Sequence, residues 1–333
     1  MSNKDMSVAA YDEGTDPALS VPDKTAKGGD QRAEPISLSP VESRNNLRYR
    51  LSNMSNSLRR SPVGMIGMVI VLFVIFLAVF GPYVSPHDPL ERNLRNRFEP
   101  PGYVNDNGTY ILGTDQLGRD ILSRIIAGAR VSVIVGVVAS LMAGSIGVMY
   151  GIVTGYFGGW IDTVLMRFAD ALLAIPFIIL VVAISGVIGG GLSALILILG
   201  LTGWVTYARV IRGEVLKTRN MDYVLASRSL GQRGHLIMYK HLLPNVISAA
   251  IILAAVQVGT SILAESSLSF LGLGVQPPTV TWGLMLSDGR QYIGSAWWMT
   301  AFPGIAITLT VLGIVFVGDW LRDYLDPTMR GRG

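Results

Sequence analysis

The run VGMIGMVIVLFVIFLAVFGPYV, Val63–Val84, decides the class of this chain. It holds no charged side chain, and its length matches the roughly 20 residues that cross a bilayer as a helix. A helix is one of the few structures that satisfies its own backbone groups in lipid. Further apolar stretches follow at Val131–Tyr156, Ala169–Ile188, Ala194–Ile211, Leu243–Leu268 and Trp298–Leu321. Together they predict an all-α membrane protein of six transmembrane helices. Pro176 is expected to kink the third span by removing one hydrogen bond of its ladder.

Composition agrees. Half of the 333 residues are hydrophobic, and the mean hydropathy is +0.46. The bias is uneven: residues 1–60 are polar, and apolar runs dominate from Val63 onward. Residues 1–57 are expected to form a cytoplasmic and largely disordered tail, because so few apolar groups cannot offset the entropy of ordering. Residues 58–327 form the membrane domain, and 328–333 a short C-terminal tail. The first span is read as an uncleaved signal anchor, since no short apolar core precedes it. There are no cysteines, so disulfides and thiolate metal sites are excluded. The net charge of +4 does not suggest nucleic acid, because Lys and Arg cluster beside apolar spans.

Those flanks set the orientation. Arg44, Arg48, Arg50, Arg59 and Arg60 precede the first span, and Arg212, Lys217, Arg219, Arg228, Arg233 and Lys240 lie between the fourth and fifth. The loop 272–297 holds only Arg290, facing Asp288. Basic flanks stay inside, so both termini and the 212–242 loop are placed in the cytoplasm. The first loop is awkward: it would lie outside, yet it carries Arg92, Arg95, Arg97, Arg119, Arg124 and Arg130.

The loop DYVLASRSLGQRGHLIMYKHLLPN, Asp222–Asn245, interrupts two apolar spans with a polar, basic stretch. Tyr223, Ala226 and Leu230 recur at helical spacing, with Val224 and Leu225 flanking that face. Asp222 reads as the N-cap of this helix and Gly231 as its stop. A second short helix follows, and Pro244 sits at the entry to the next span. On the residues alone, an amphipathic loop on the membrane surface, a solvated connector and a plug for a soluble partner remain open.

This loop resembles the cytoplasmic signature of ABC importer permeases, E-A-A-x3-G-x9-I-x-L-P. Ala226, Gly231, Leu243 and Pro244 match it. Leu225 stands for the Glu, Ser227 for the second Ala and His241 for the Ile. LGTDQLGRDILSRIIAGARVS (Leu112–Ser132), GYFGGWIDTVLMRFAD (Gly155–Asp170), ESSLSFLGLGVQPPTVTWGLML (Glu265–Leu286) and GDWLRDYLDP (Gly318–Pro327) resemble the C-type subunit of the dipeptide/oligopeptide branch. The similarity runs from about Leu58 to Pro327. It implies a type I ABC importer permease bundle whose short cytoplasmic helix seats in a groove of the ATPase. It also implies a sister permease, two ATPase subunits that hold the ATP and magnesium, and an extracytoplasmic solute-binding protein, in the inner membrane. The coupling residues would be Asp222, Tyr223, Ala226, Ser227, Leu230, Gly231, His241, Leu243 and Pro244.

Other candidates are weaker. Ala139, Ala143, Gly147, Gly151 and Gly155 put a ridge of small residues on one helical face, where a second helix can approach closely. Glu265, ionisable and at membrane depth, is expected to line the pathway or to bond a neighbouring helix. Thr114, Asp115, Arg119 and Asp120 form a turn with an Arg119–Asp120 pair, either capping the next helix or touching an external partner. Asp162, Arg167 and Asp170 read as snorkelling interface charges or a gate-side ion pair. There is no G-x-x-x-x-G-K-[ST], no H-E-x-x-H and no G-x-S-x-G, and His87, His235 and His241 form no evident ligand set. A transport subunit without bound cofactor or metal is therefore expected, not an enzyme. The alternative is an ATP-independent transporter or channel.

Overall fold

The computed structural model describes residues 47–325 except Asn107, with side chains from Met54 onward. Residues 1–46 of the expected 1–57 tail, and all of the expected 328–333 tail, lie outside the described residues. A first helix, α1 (Leu47–Arg60), occupies the end of the segment expected to be a disordered tail. After Ser61 the chain enters α2 (Pro62–Val84). The Ser61 hydroxyl accepts the Gly64 N–H at 3.1 Å, and Pro62 follows where a missing N–H costs nothing.

The loop after α2 then carries a small antiparallel hairpin, β1 (Tyr103–Asn105) and β2 (Gly108–Tyr110), pairing Tyr103 with Tyr110. The long helices follow: α3 (Ile121–Phe157), α4 (Gly159–Ala174), α5 (Phe177–Ile188) and α6 (Leu192–Thr218). The polar segment forms α7 (Asp222–Ser229) and α8 (Gly234–Ile237) before α9 (Leu243–Phe270). Short α10 (Trp282–Gly289) and long α11 (Trp298–Leu325) complete the chain.

Among the described residues, five helices are long and apolar enough to cross a membrane, and a bent pair, α4 with α5, makes up to six. The expected third span is therefore broken, not kinked. Its halves meet at 91°. Pro176 disfavours helical backbone at the residue before it, and Ile175 is extended (φ −83°, ψ 124°). The second span begins at Ile121, earlier than its apolar run, because Asp120 caps it. The Asp120 carboxylate accepts the Ser123 N–H at 2.9 Å and the Ser123 hydroxyl at 2.6 Å.

The centre of the bundle is the seam between α3 and α6. A Cβ on Gly147 would lie 2.4 Å from Cβ of Tyr207 and 2.5 Å from the Trp204 carbonyl. On Gly151 it would lie 2.8 Å from the Ala208 carbonyl, and on Gly155 2.7 Å from Cβ of Val215. The glycines thus face α6 directly, and Ala139 and Ala143 above them are fully buried. Lipid offers no hydrophobic force between spans, so this contact rests on van der Waals packing. One apolar cluster caps the loop end of the bundle, with Ile121, Trp282, Met285 and Trp298. Another sits at the opposite end, with Ile152, Ile211, Val215, Leu242 and Val246.

Gly147→Ala is expected to destabilise the bundle by about 1–3 kcal/mol through overpacking. Gly213→Ala, an exposed position of α6 with nothing within 4 Å, should be neutral or stabilising by about 0.5–1 kcal/mol. Thermal unfolding in detergent separates the two.

Candidate functional site

The segment after α6 is a platform built on the lower cluster. Thr218 ends α6, and Met221, extended at φ −75°, caps α7 with its backbone. Asp222 was expected at that cap; it is instead the first helical residue and makes no side-chain cap bond. An acid in the first turn still suits the helix dipole. At the far end the Gly231 N–H donates to Arg228 and the Gln232 N–H to Ser227, both through backbone carbonyls. This is a Schellman stop, and it requires the left-handed φ of +77° that Gly231 supplies.

The faces of α7 divide unevenly. Val224, only 3 % exposed, packs among Ile152, Ile211, Val215, Ile237 and Leu242. Val224, read from sequence as flanking the Tyr223–Ala226–Leu230 face, is the anchor. Tyr223, Leu225, Ala226 and Leu230 point away, and Leu230 is 87 % exposed. The three departures from the signature fall on these two surfaces. Leu225 is exposed on the outer one. Ser227 and His241 meet: Ser227 Oγ lies 3.4 Å from His241 Nε2, which lies 3.0 Å from Gln232 Oε1. The two substitutions thus build a polar bridge from α7 to the following segment. Gln232 was not singled out from sequence, and only the Gly231 turn brings it there.

Pro244 shapes the backbone just after α8. It has no N–H to give Lys240, and its ring would crowd that carbonyl. The chain widens to a π-turn at Met238–Leu242, where the Leu243 N–H reaches back to Met238. A π-turn absorbs such a break without ending the helix. Leu242 is thereby buried, while Leu243 is half-buried and Pro244 exposed.

Two ion pairs tie α4 to α6 near this platform. Arg212 holds Asp162 through two hydrogen bonds of 2.5 Å, and Arg209 holds Asp170 at 2.6 Å. Asp162 and Asp170 are therefore paired and not merely snorkelling; Arg167 is exposed. Arg219 closes the end of α3 by donating to the Gly155 carbonyl at 2.7 Å.

At the opposite end, the predicted Arg119–Asp120 pair does not form. Arg119 donates to Asp115 at 2.6 Å and to Asp288 at 3.2 Å. Arg124, 2 % exposed, donates to the same two carboxylates. Two cations and two anions are thus interlocked, and Asp288 does not face Arg290, which lies over the Phe270 ring. This network balances two of the arginines that made the first loop awkward to place. Thr114 bonds the Asn96 carbonyl and the Glu99 N–H. Thr114, Asp115 and Asp120 are buried inside this chain, and Asp120 caps α3, which is the capping alternative of the two expected. They hold the loop onto α3, α10 and α11.

Glu265 is fully buried and accepts from the hydroxyls of Ser269 at 2.9 Å and of Ser132 and Ser266 at 3.3 Å. Ser132 belongs to α3, so Glu265 joins α9 to α3 and lines no open path here. Among the described residues, no group of three His, Asp or Glu side chains could hold a metal ion.

Comparison with known proteins fits this bundle and its platform. Residues 147–331 match the family described as binding-protein-dependent transport system inner membrane component. Residues 51–101 match the N-terminal TM domain of oligopeptide transport permease C. The chain belongs to this permease family. It lies in the dipeptide/oligopeptide branch, among the C-type subunits. The permease is 42 % identical to the dipeptide transport system permease protein DppC of Bacillus subtilis, over 82 % of this chain and 84 % of that one. It is 39 % identical to the oligopeptide transport system permease protein OppC of the same organism, over 82 % and 88 %. It is 35 % identical to the probable D,D-dipeptide transport system permease protein DdpC of Escherichia coli, over 88 % and 97 %. A permease of this family is a membrane component of an ABC transporter, and the ATP-independent alternative is not favoured.

Asp115→Ala would leave Arg124 buried without its main partner. Breaking such a pair typically costs about 3–5 kcal/mol. The variant permease is expected to show a lower melting midpoint in detergent, with α7 unaffected in its protease accessibility.

Proposed function

We propose that the permease forms one half of a peptide-importing ABC transporter and that α7 is its plug for an ATPase subunit. The observation that carries this is the division of α7: Val224 locked into the bundle, with Tyr223, Ala226 and Leu230 presented outward. A docking helix needs an apolar face and a fixed entry angle. The Schellman turn and the Ser227–His241–Gln232 bridge supply the angle. The assembly would contain a sister permease, two ATPase subunits carrying ATP and magnesium, and an extracytoplasmic solute-binding protein. The termini and α7 would face the cytoplasm across the inner membrane. The peptide substrate class is carried over from the names of the relatives.

Coupling follows from how α7 is seated. Val224 touches the cluster that contains Ile152 of α3, Ile211 and Val215 of α6, and Val246 of α9. A pull on α7 would move these helices together, and the paired Arg212 would carry α4 with α6. ATP can drive the change only if the ATPase pair binds one arrangement of the permease better than the other. Alternating access is that difference expressed as motion.

Leu230→Asp tests the plug, because an 87 % exposed side chain is not needed for folding. Loss of an anchor residue typically costs about 2 kcal/mol or more, roughly a 30-fold drop in affinity. The tagged variant should therefore keep the sister permease on purification, lose the ATPases and lose peptide uptake. Undiminished ATPase recovery would remove α7 from the interface. A wild-type chain that purifies alone in mild detergent would overturn the importer assembly itself.

A further inference from the structure

A groove of about 520 Å³ opens between the last turns of α2 and the first turns of α3. Ala78 and Gly81 form one wall, Ile126 and Ala127 the other, and the loop from Ser85 to Pro89 roofs it. A second opening of about 460 Å³ continues it past Val133 and Ile134, sharing Ala78, Pro82 and Arg130. The geometry points to a phospholipid site here, taken by a zwitterionic aminophospholipid such as phosphatidylethanolamine.

Charge, depth and surroundings select this occupant. Arg130 lines both openings, is exposed and has no ion-pair partner among the described residues. Asp88 lines the first opening and accepts the Leu90 N–H at 2.8 Å, again with no cationic partner among the described residues. One groove thus offers a cation for a phosphate and an anion for an ammonium. Pro82 adds an acceptor, since it has no N–H to give the Ala78 carbonyl that faces it one turn back. Arg130 lies beside Pro82 and Tyr83, at the end of α2, where a guanidinium meets headgroups and not acyl chains. Val79, Val133 and Ile134 line the second opening with apolar surface, which suits acyl chains. A soluble anion would use Arg130 and leave that apolar wall bare.

The full chain, purified with the subunits that assemble with it and washed free of lipid, would be incubated with vesicles of phosphatidylethanolamine and phosphatidylglycerol. Native mass spectrometry then counts the lipids retained. Arg130→Gln should lose retention of both lipids at this site, since both carry the phosphate. Asp88→Asn should lose only the preference for phosphatidylethanolamine. Equal retention by Arg130→Gln and wild type overturns the site. A photo-crosslinking residue at position 79 gives an independent readout that stands even if Arg130→Gln fails to assemble. A lipid adduct supports the proposal, and an adduct to another protein chain replaces the lipid with a subunit.

Discussion

The close approach of α3 to α6 is the constraint on which the rest of this permease depends. Gly147, Gly151 and Gly155 bring two backbones to a distance at which one methyl group would collide. Within lipid, where apolar surface gains nothing by hiding from its surroundings, only such packing holds two spans in fixed register. Everything functional hangs from that register. The lower end of α6 carries Arg209, Arg212 and Arg219, which fix α4 and the end of α3. It then turns directly into α7. The upper end of α3 carries Asp120 and Arg124, which fix the loop and α10.

The two ends of the bundle solve opposite problems. At the loop end, charged groups are withdrawn from solvent and interlocked, so that Asp115 and Asp288 neutralise Arg119 and Arg124. That end keeps its charges paired within the chain. At the other end, α7 keeps one residue in the core and leaves its remaining apolar side chains uncovered.

Much of this was legible in the sequence. The apolar runs located the spans but not all their ends: α3 starts early at Ile121 on a polar cap, the broken third span starts at Gly159 and not Ala169, and α6 runs on past Ile211 to Thr218. The spacing of Gly231 and Pro244 identified the loop, and Gly231 does adopt the left-handed turn its position implied. The glycine ridge was visible as a period of four. Hidden from sequence were the partners. Nothing local says that Arg212 reaches Asp162, that Arg124 shares Asp288 with Arg119, or that Ser227 and His241 meet.

The sequence by itself determined what each segment must be: apolar runs must be helices in lipid, glycine must stop α7, and a proline past a helix's first turn must remove one bond of its ladder. These follow from the backbone and from local chemistry. The tertiary structure alone decided degree and direction. Pro176 does not bend a span but breaks it by 91°, while Pro244 is absorbed in a π-turn inside a continuing helix. Val224, flanking the face of Tyr223 and Leu230 in sequence, turns inward because the cluster around Ile211 and Leu242 has room for it. A residue's period names the face it lies on, but only its neighbours in space determine whether that face is covered.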